Sequence, residues 1–222
     1  METFSPENEK KSYHAENAFY LTCEQRRIKK ILAQYELYKM TLGLPGQIVE
    51  CGVYKGCSLI RICAFRDALG ASESRKVIAF DAFGDFPIPS GVNSNDRDFA
   101  NKFNAGAGPG LEKNELENIL AAKRVTNFEL VKGDILETLP AYLKDHPELR
   151  IAFLHIDVDL CQVTGSVLAN LFDLVVRGGV IMLDDYALVD GATRAVDDFF
   201  RAHRGCVKKL ELAHVPCFVV KE

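Results

Sequence analysis

Five short apolar runs, each closing on a glycine, an acid or both, constrain this chain more than any other feature. They are QIVECGV (47–53), KVIAFDAF (76–83), NFELVKGD (127–134), RIAFLHIDVD (150–159) and GGVIMLDDY (178–186). Each is too short for a buried helix, and the longest show no polar alternation. They read as strands covered on both faces. Stretches of helical length separate them: CSLIRICAFRDAL (57–69), LEKNELENILAAK (111–123), the proline-interrupted ILETLPAYLKD (135–145), CQVTGSVLANLFDLVV (161–176) and ATRAVDDFFRAH (192–203). Regular alternation of this kind predicts an α/β fold, a mostly parallel sheet with helices on both faces. The tail, CVKKLELAHVPCFVVKE, predicts two short strands around a tight turn near Pro216. That brings the sheet to seven strands, one of them antiparallel.

Ahead of the first strand, residues 1 to about 20 are polar and predicted loose at the start. An extra N-terminal helix is expected to open on a capping box, Thr22 with Gln25, and to end near Gly43. Its apolar residues Ile28, Ile31, Leu32, Tyr35, Tyr38 and Leu42 recur at helical spacing, so it is expected to cover the ligand site or a partner subunit. Residues 1–45 then form an arm and helix, and residues 46–222 one domain. The segment 84–110, rich in Gly, Pro and Asn, is expected to be a mobile lid.

The charge balance excludes some partners. A net charge of −4 gives no electrostatic case for nucleic acid or an anionic membrane surface. No apolar run approaches the roughly 20 residues of a membrane span. The N-terminus, METFSPENEKK, lacks an apolar signal core, which suggests a cytoplasmic protein. The seven cysteines include no CxxC pair and read as reduced thiols, with Cys51, Cys57 and Cys63 as small buried hydrophobes. The apolar N-terminal helix suggests a homo-oligomer, most simply a dimer.

Chemistry concentrates where the runs end. Asp157 and Asp159 close one run, Asp184 and Asp185 another. In a parallel sheet such positions face the ligand crevice. Four carboxylates gathered there repel one another, and a hard divalent cation such as Mg2+ is the simplest compensation. The first turn, ECGVYKG, lacks the GxGxxG spacing that seats a dinucleotide, which disfavours a nicotinamide oxidoreductase. Asp81 ends the second run, where an acid can accept both ribose hydroxyls of a nucleoside. Asp134, after Gly133, either meets an adenine or caps the following helix. His155 shares the face of Asp157 and reads as a packed strand histidine.

The turn ECGVYKG resembles the first motif of class I methyltransferases. Together with FDAFGDFP, VKGDILETLP, HIDVDLCQVTGSVLANL and GGVIMLDDYALVDGATRAVDDFF, the chain resembles the macrocin O-methyltransferase family over residues 46–204. The resemblance implies a Rossmann-like class I methyltransferase fold. It implies transfer of a methyl group from S-adenosylmethionine to a hydroxyl, of a sugar or glycoside acceptor, with Mg2+ bound. It implies that Asp157, Asp184 and Asp185 hold the metal and that Asp159 is the general base. Cofactor contacts are implied at Glu50, Gly52, Tyr54, Gly56, Ser58, Asp81, Gly133 and Asp134. The chain departs from the family pattern after the DxD element, where Leu160 is followed by Cys161 rather than an aromatic residue. A catechol-type phenolic acceptor and a non-catalytic binding protein are the alternatives; the intact acidic set argues against the second.

Overall fold

A computed structural model of the chain describes residues 6–222, with side chains from residue 10 onward. The strands are β1 (Gln47–Cys51), β2 (Val77–Asp81), β3 (Phe128–Lys132), β4 (Ile151–Ile156), β5 (Val175–Leu183), β6 (Lys208–Lys209) and β7 (Cys217–Val220). The helices are α1 (Pro6–Thr22), α2 (Gln25–Lys39), α3 (Cys57–Ala68), α4 (Ser94–Ala107), α5 (Lys113–Ala122), α6 (Ile135–Asp145), α7 (Cys161–Leu171) and α8 (Asp190–Ala202).

All seven strands form one sheet in the order β3-β2-β1-β4-β5-β7-β6. The first five are parallel, and β7 runs antiparallel to both β5 and β6. The order reverses direction between β1 and β4, so their carboxyl ends flank a crevice open to ligands. Alternate strand residues feed two cores. Val49, Phe80, Leu154 and Ile181 join Val167, Leu168 and Leu171 of α7 on one face. Ile48, Ala79, Phe153 and Met182 join Leu37 and Tyr38 of α2 and Leu59 and Ile62 of α3 on the other.

Several local expectations are corrected. Thr22 does not start a helix: it ends α1, with its hydroxyl donating to the Ala18 carbonyl at 2.6 Å. Glu24 is the N-cap of α2 and makes no side-chain cap, so the Thr22–Gln25 capping box does not form. The buried stripe of α2 is Ala33, Gln34, Leu37 and Tyr38, while Leu32 and, past the helix end, Leu42 are exposed. Segment 84–110 contains α4, whose N-cap Asn93 accepts from the Asp96 N–H. Helix α7 stops at Leu171 and β5 begins at Val175, because two β-branched residues before Gly178 continue the sheet rather than the helix. Pro216 lies at the entry to β7, where its missing N–H leaves the ladder intact. Cys57, at the start of α3, is exposed rather than buried.

Candidate active site

The site is built where β1, β4 and β5 end. In register, Glu50 lies opposite His155, and His155 opposite Met182. Asp184 is two residues beyond Met182, so Glu50, His155 and Asp184 project onto the face covered by α2 and α3. All three are buried. His155 Nδ1 lies 3.4 Å from Glu50 Oε1, and its Nε2 lies 3.6 Å from Asp184 Oδ1 and 3.8 Å from Asp157 Oδ2. Burial disfavours the imidazolium, but Asp184 and Glu50 outweigh it and lift His155 to about 10. His155 thus sits among three carboxylates, which favour its charged form against burial.

The four expected acids converge. His155, Asp157 and Asp184 form one group, and Asp157, Asp159 and Asp185 a second, each with ligand atoms within 4.8 Å of one another. Asp184 and Asp185 thus belong to different groups that share Asp157. Burial and mutual repulsion raise most of them. Burial, Asp184 and Asp185 push Asp157 well above its ordinary value. Burial, Asp157 and Asp184 lift Asp159 to about 7, and burial, Asp159 and Asp184 lift Asp185 to about 8. Asp184 is the exception: burial opposes its charge, but His155 and Lys30 hold it at about 2.

Lys30, from α2, did not stand out in the sequence. Its Nζ donates to Asp184 Oδ2 at 2.5 Å across 154 positions of chain. Burial opposes its charge, yet Asp184 and Asp157 raise its pKa. No local motif marks this lysine; only its place on the sheet-facing side of α2 could have suggested it.

Gly52 is required by packing between strand ends. Its φ is +90°, and a Cβ there would overlap the Asp157 carbonyl, whose own N–H donates to Cys51 O at 2.9 Å. The glycine thus lets the strand end carrying Asp157 approach closely. Gly56, with φ +74°, opens α3 against Leu116. Asp81 gathers the turn: its Oδ2 accepts from Val53 N at 2.7 Å and Tyr54 N at 3.0 Å, and its Oδ1 from Phe83 N at 2.6 Å. Asp134 caps α6 by accepting from Leu136 N at 2.9 Å. Ser58 donates to Glu50, below the turn.

A cleft of about 960 Å³, open to solvent, lies above these elements. Of the expected cofactor residues, Gly52, Tyr54, Asp81, Gly133 and Asp134 line it; Glu50, Gly56 and Ser58 do not. Asp157 and Asp159 line it as well. Phe86 and Phe103 of the long connection form an aromatic wall. That connection is tied down by Tyr54 Oη, which donates to Ala107 O at 2.6 Å, and by Gly110 N, which donates to Gly84 O at 2.7 Å. Arg194 pairs with Asp190 at 3.2 Å rather than entering the cleft.

The sheet order and the crevice define a Rossmann-like class I methyltransferase fold. The fold is shared with a calicheamicin methyltransferase, at TM-score 0.76 and 24% identity over 94% of this chain and 85% of that one. It is shared with the O-methyltransferase NovP, at TM-score 0.76 and 21% identity over 87% of this chain and 80% of that one. The chain belongs to the macrocin-O-methyltransferase (TylF) family, whose model matches residues 16–218. It is 32% identical over 165 residues to the 8-demethyl-8-(2,3-dimethoxy-alpha-L-rhamnosyl)-tetracenomycin-C 4'-O-methyltransferase of Streptomyces olivaceus, covering 71% of this chain and 59% of that protein. It is 28% identical over 165 residues to the demethyldecarbamoylnovobiocin O-methyltransferase of Streptomyces niveus, with the same coverage of 71% and 59%. The chain thus spans about three-fifths of the length of these relatives.

Proposed function

We propose that this chain transfers a methyl group from S-adenosylmethionine to a sugar hydroxyl of a glycoside, with a divalent cation, Mg2+ by preference, at the acidic cluster. One observation carries the reading: the cleft and the cluster share Asp157 and Asp159 as wall residues. A methyl donor in the cleft and a hydroxyl at the cluster would therefore meet at one boundary. The donor set suits a hard cation, since its carboxylates are all oxygen ligands and Asp184 Oδ1 is buried without a hydrogen-bond partner. Of the expected ligands, Asp157 and Asp185 would hold the ion, with Asp184 in the neighbouring group that shares Asp157. When bound, it supplies Lewis-acid charge that lowers the pKa of an acceptor hydroxyl.

The chain's own residues do the rest. Asp159 takes the hydroxyl proton as the methyl transfers. Its left-handed φ of +58° turns it out at the strand end, and its N–H donates to Asp185 Oδ2 at 3.2 Å. Asp81 holds the Val53–Tyr54 turn and keeps acceptor capacity for the ribose. Phe86 and Phe103 exclude water from the donor. The rhamnosyl acceptor in the name of the Streptomyces olivaceus relative supports a sugar over a phenol. No helix among the described residues is long and apolar enough to cross a membrane. We further propose a cytoplasmic dimer with no nucleic-acid or membrane partner.

Calorimetry tests this directly. S-adenosylmethionine and S-adenosylhomocysteine should bind and NADH should not, and methylation of a glycoside bearing a free deoxysugar hydroxyl should stop in EDTA. Binding of NADH alone, or full turnover in EDTA, would overturn the proposal.

A further inference from the structure

Asp96, in the connection that walls the cleft, is buried and remote in sequence from every acid discussed above. Its Oδ2 accepts from Cys161 N at 2.8 Å, the first amide of α7. Its Oδ1 lies 3.9 Å from Arg194 Nη2 on α8. Gly191, at the start of α8, leaves the space the carboxylate fills: a Cβ there would stand 2.5 Å from Asp96 Oδ1 and 2.9 Å from Cys161 N. The φ of Gly191 is not in the left-handed region, so room for Asp96, not backbone freedom, is what a glycine provides there.

Three elements meet at this carboxylate. Helix α4 brings the wall of the cofactor cleft. Helix α7 begins two residues after Asp159, and α8 begins five residues after Asp185. Asp159 itself is strained at φ +58°, and such residues persist only where the surroundings over-determine them. Asp185 holds the Asp159 loop from one side at 3.2 Å, and Asp96 holds it from the other. Phe86 and Phe103, on the same connection as Asp96, pack 5.1 Å apart against the cleft.

We propose that Asp96 is a positioning residue that makes closure of the connection over the cofactor and organisation of the Asp159 loop a single event. The inference rests on the methyltransferase reading. Occupation of the cleft then favours the ordered acid cluster, and occupation of the cluster favours the closed connection, by the same factor in each direction.

The test measures S-adenosylhomocysteine affinity with and without saturating Mg2+ by calorimetry. Wild type should show positive coupling on the order of 5-fold or more. Asp96→Ala should reduce the factor to about one. Gly191→Ala crowds the same carboxylate and the Cys161 amide, so it should lose the coupling and lower the melting temperature through overpacking. Asp96→Asn keeps an acceptor for Cys161 N and should restore most of the coupling. In both uncoupled variants kcat should fall about 10-fold or more, with little change in KM for the acceptor. If Asp96→Ala does not fold, Gly191→Ala decides. Independent binding of the two ligands to wild type, or coupling intact in Gly191→Ala, overturns the role of Asp96 and leaves the methyltransferase reading standing. Failure of wild type to bind S-adenosylhomocysteine overturns both.

Discussion

On the proposed divalent-cation reading, the cation-free protein should invert the usual pH dependence of stability. Asp159 is held at about 7 and Asp185 at about 8, against an ordinary 3.8. Between pH 4 and 8 the metal-free folded state therefore keeps protons that the unfolded chain has released. The folded state binding more protons, stability falls as pH rises through this window. The contribution is fullest below the ordinary carboxylate value and is gone above about 8. His155, lifted to about 10, acts in the same direction from its ordinary 6.5 upward. Asp184, at about 2, acts oppositely, but only below its ordinary 3.8. One retained proton is worth about 1.4 kcal/mol per pH unit. For Asp159 and Asp185 together that is on the order of 5 kcal/mol across pH 5 to 7, or roughly 10–20 °C in melting temperature for a chain of this size. The assay is thermal melting of EDTA-treated protein at constant ionic strength, repeated with Mg2+. Other titrating groups contribute to both curves, so the difference isolates the cluster: the gap between the Mg2+ and EDTA melting temperatures should widen as pH rises. A gap independent of pH from 5 to 8 would refute the electrostatic account of the four acids.

Lys30→Met removes a partly buried, charge-assisted bond worth about 1.5–3 kcal/mol, so metal-free stability should drop while Mg2+ affinity rises, both readable by calorimetry. Asp159→Asn should lower kcat by roughly 10²–10⁴-fold with cofactor affinity unchanged; loss of Mg2+ binding in that variant would make Asp159 a ligand. Gly52→Ala forces a side chain into the Asp157 carbonyl at a positive φ and should destabilise the fold by more than about 3 kcal/mol in urea denaturation. Asp81→Ala should weaken S-adenosylhomocysteine binding by on the order of 1.5–3 kcal/mol. Because Asp81 also gathers three backbone amides, its melting temperature should fall as well, and an unchanged value would contradict that second role.

The strands were legible because a sheet covered on both faces selects unbroken apolar runs, and their polar ends then mark the ligand side. That logic by itself singles out Asp157, Asp159, Asp184 and Asp185. The parity of Glu50 with Ile48, and of His155 with Phe153, was equally readable, but its meaning needed the β1–β4 pairing, which skips two strands. Lys30 and Asp96 were out of reach for the same reason. Each acts across a long gap in sequence, and each reads locally as a helix-surface charge. The stripe on α2 departs from the expected one because the helix buries Gln34 beside Ala33, and no hydrophobicity pattern selects a buried glutamine. Gln34 earns its place by accepting from Arg61 of α3.

On the same proposed reading, the acid cluster also sets the terms on which a divalent cation would bind. In the metal-free state burial and mutual repulsion favour the protonated forms of Asp159 and Asp185, while Lys30 and His155 face Asp184. Exchanging retained protons for one divalent ion largely offsets the charge the ion adds, so the buried site would not be driven to bind by charge neutralisation alone. What the exchange alters is chemistry: Asp159 becomes an ionised base and Asp185 an ionised ligand. Metal binding must then release protons, because carboxylate ligands bind deprotonated. Calorimetric titration with Mg2+ at pH 6, in buffers of different ionisation enthalpy, should report net proton release on binding. Asp159→Asn should reduce that release while leaving the ion bound. Binding without proton release would mean that Asp159 and Asp185 are already ionised in the metal-free protein, and that burial and mutual repulsion do not govern this cluster.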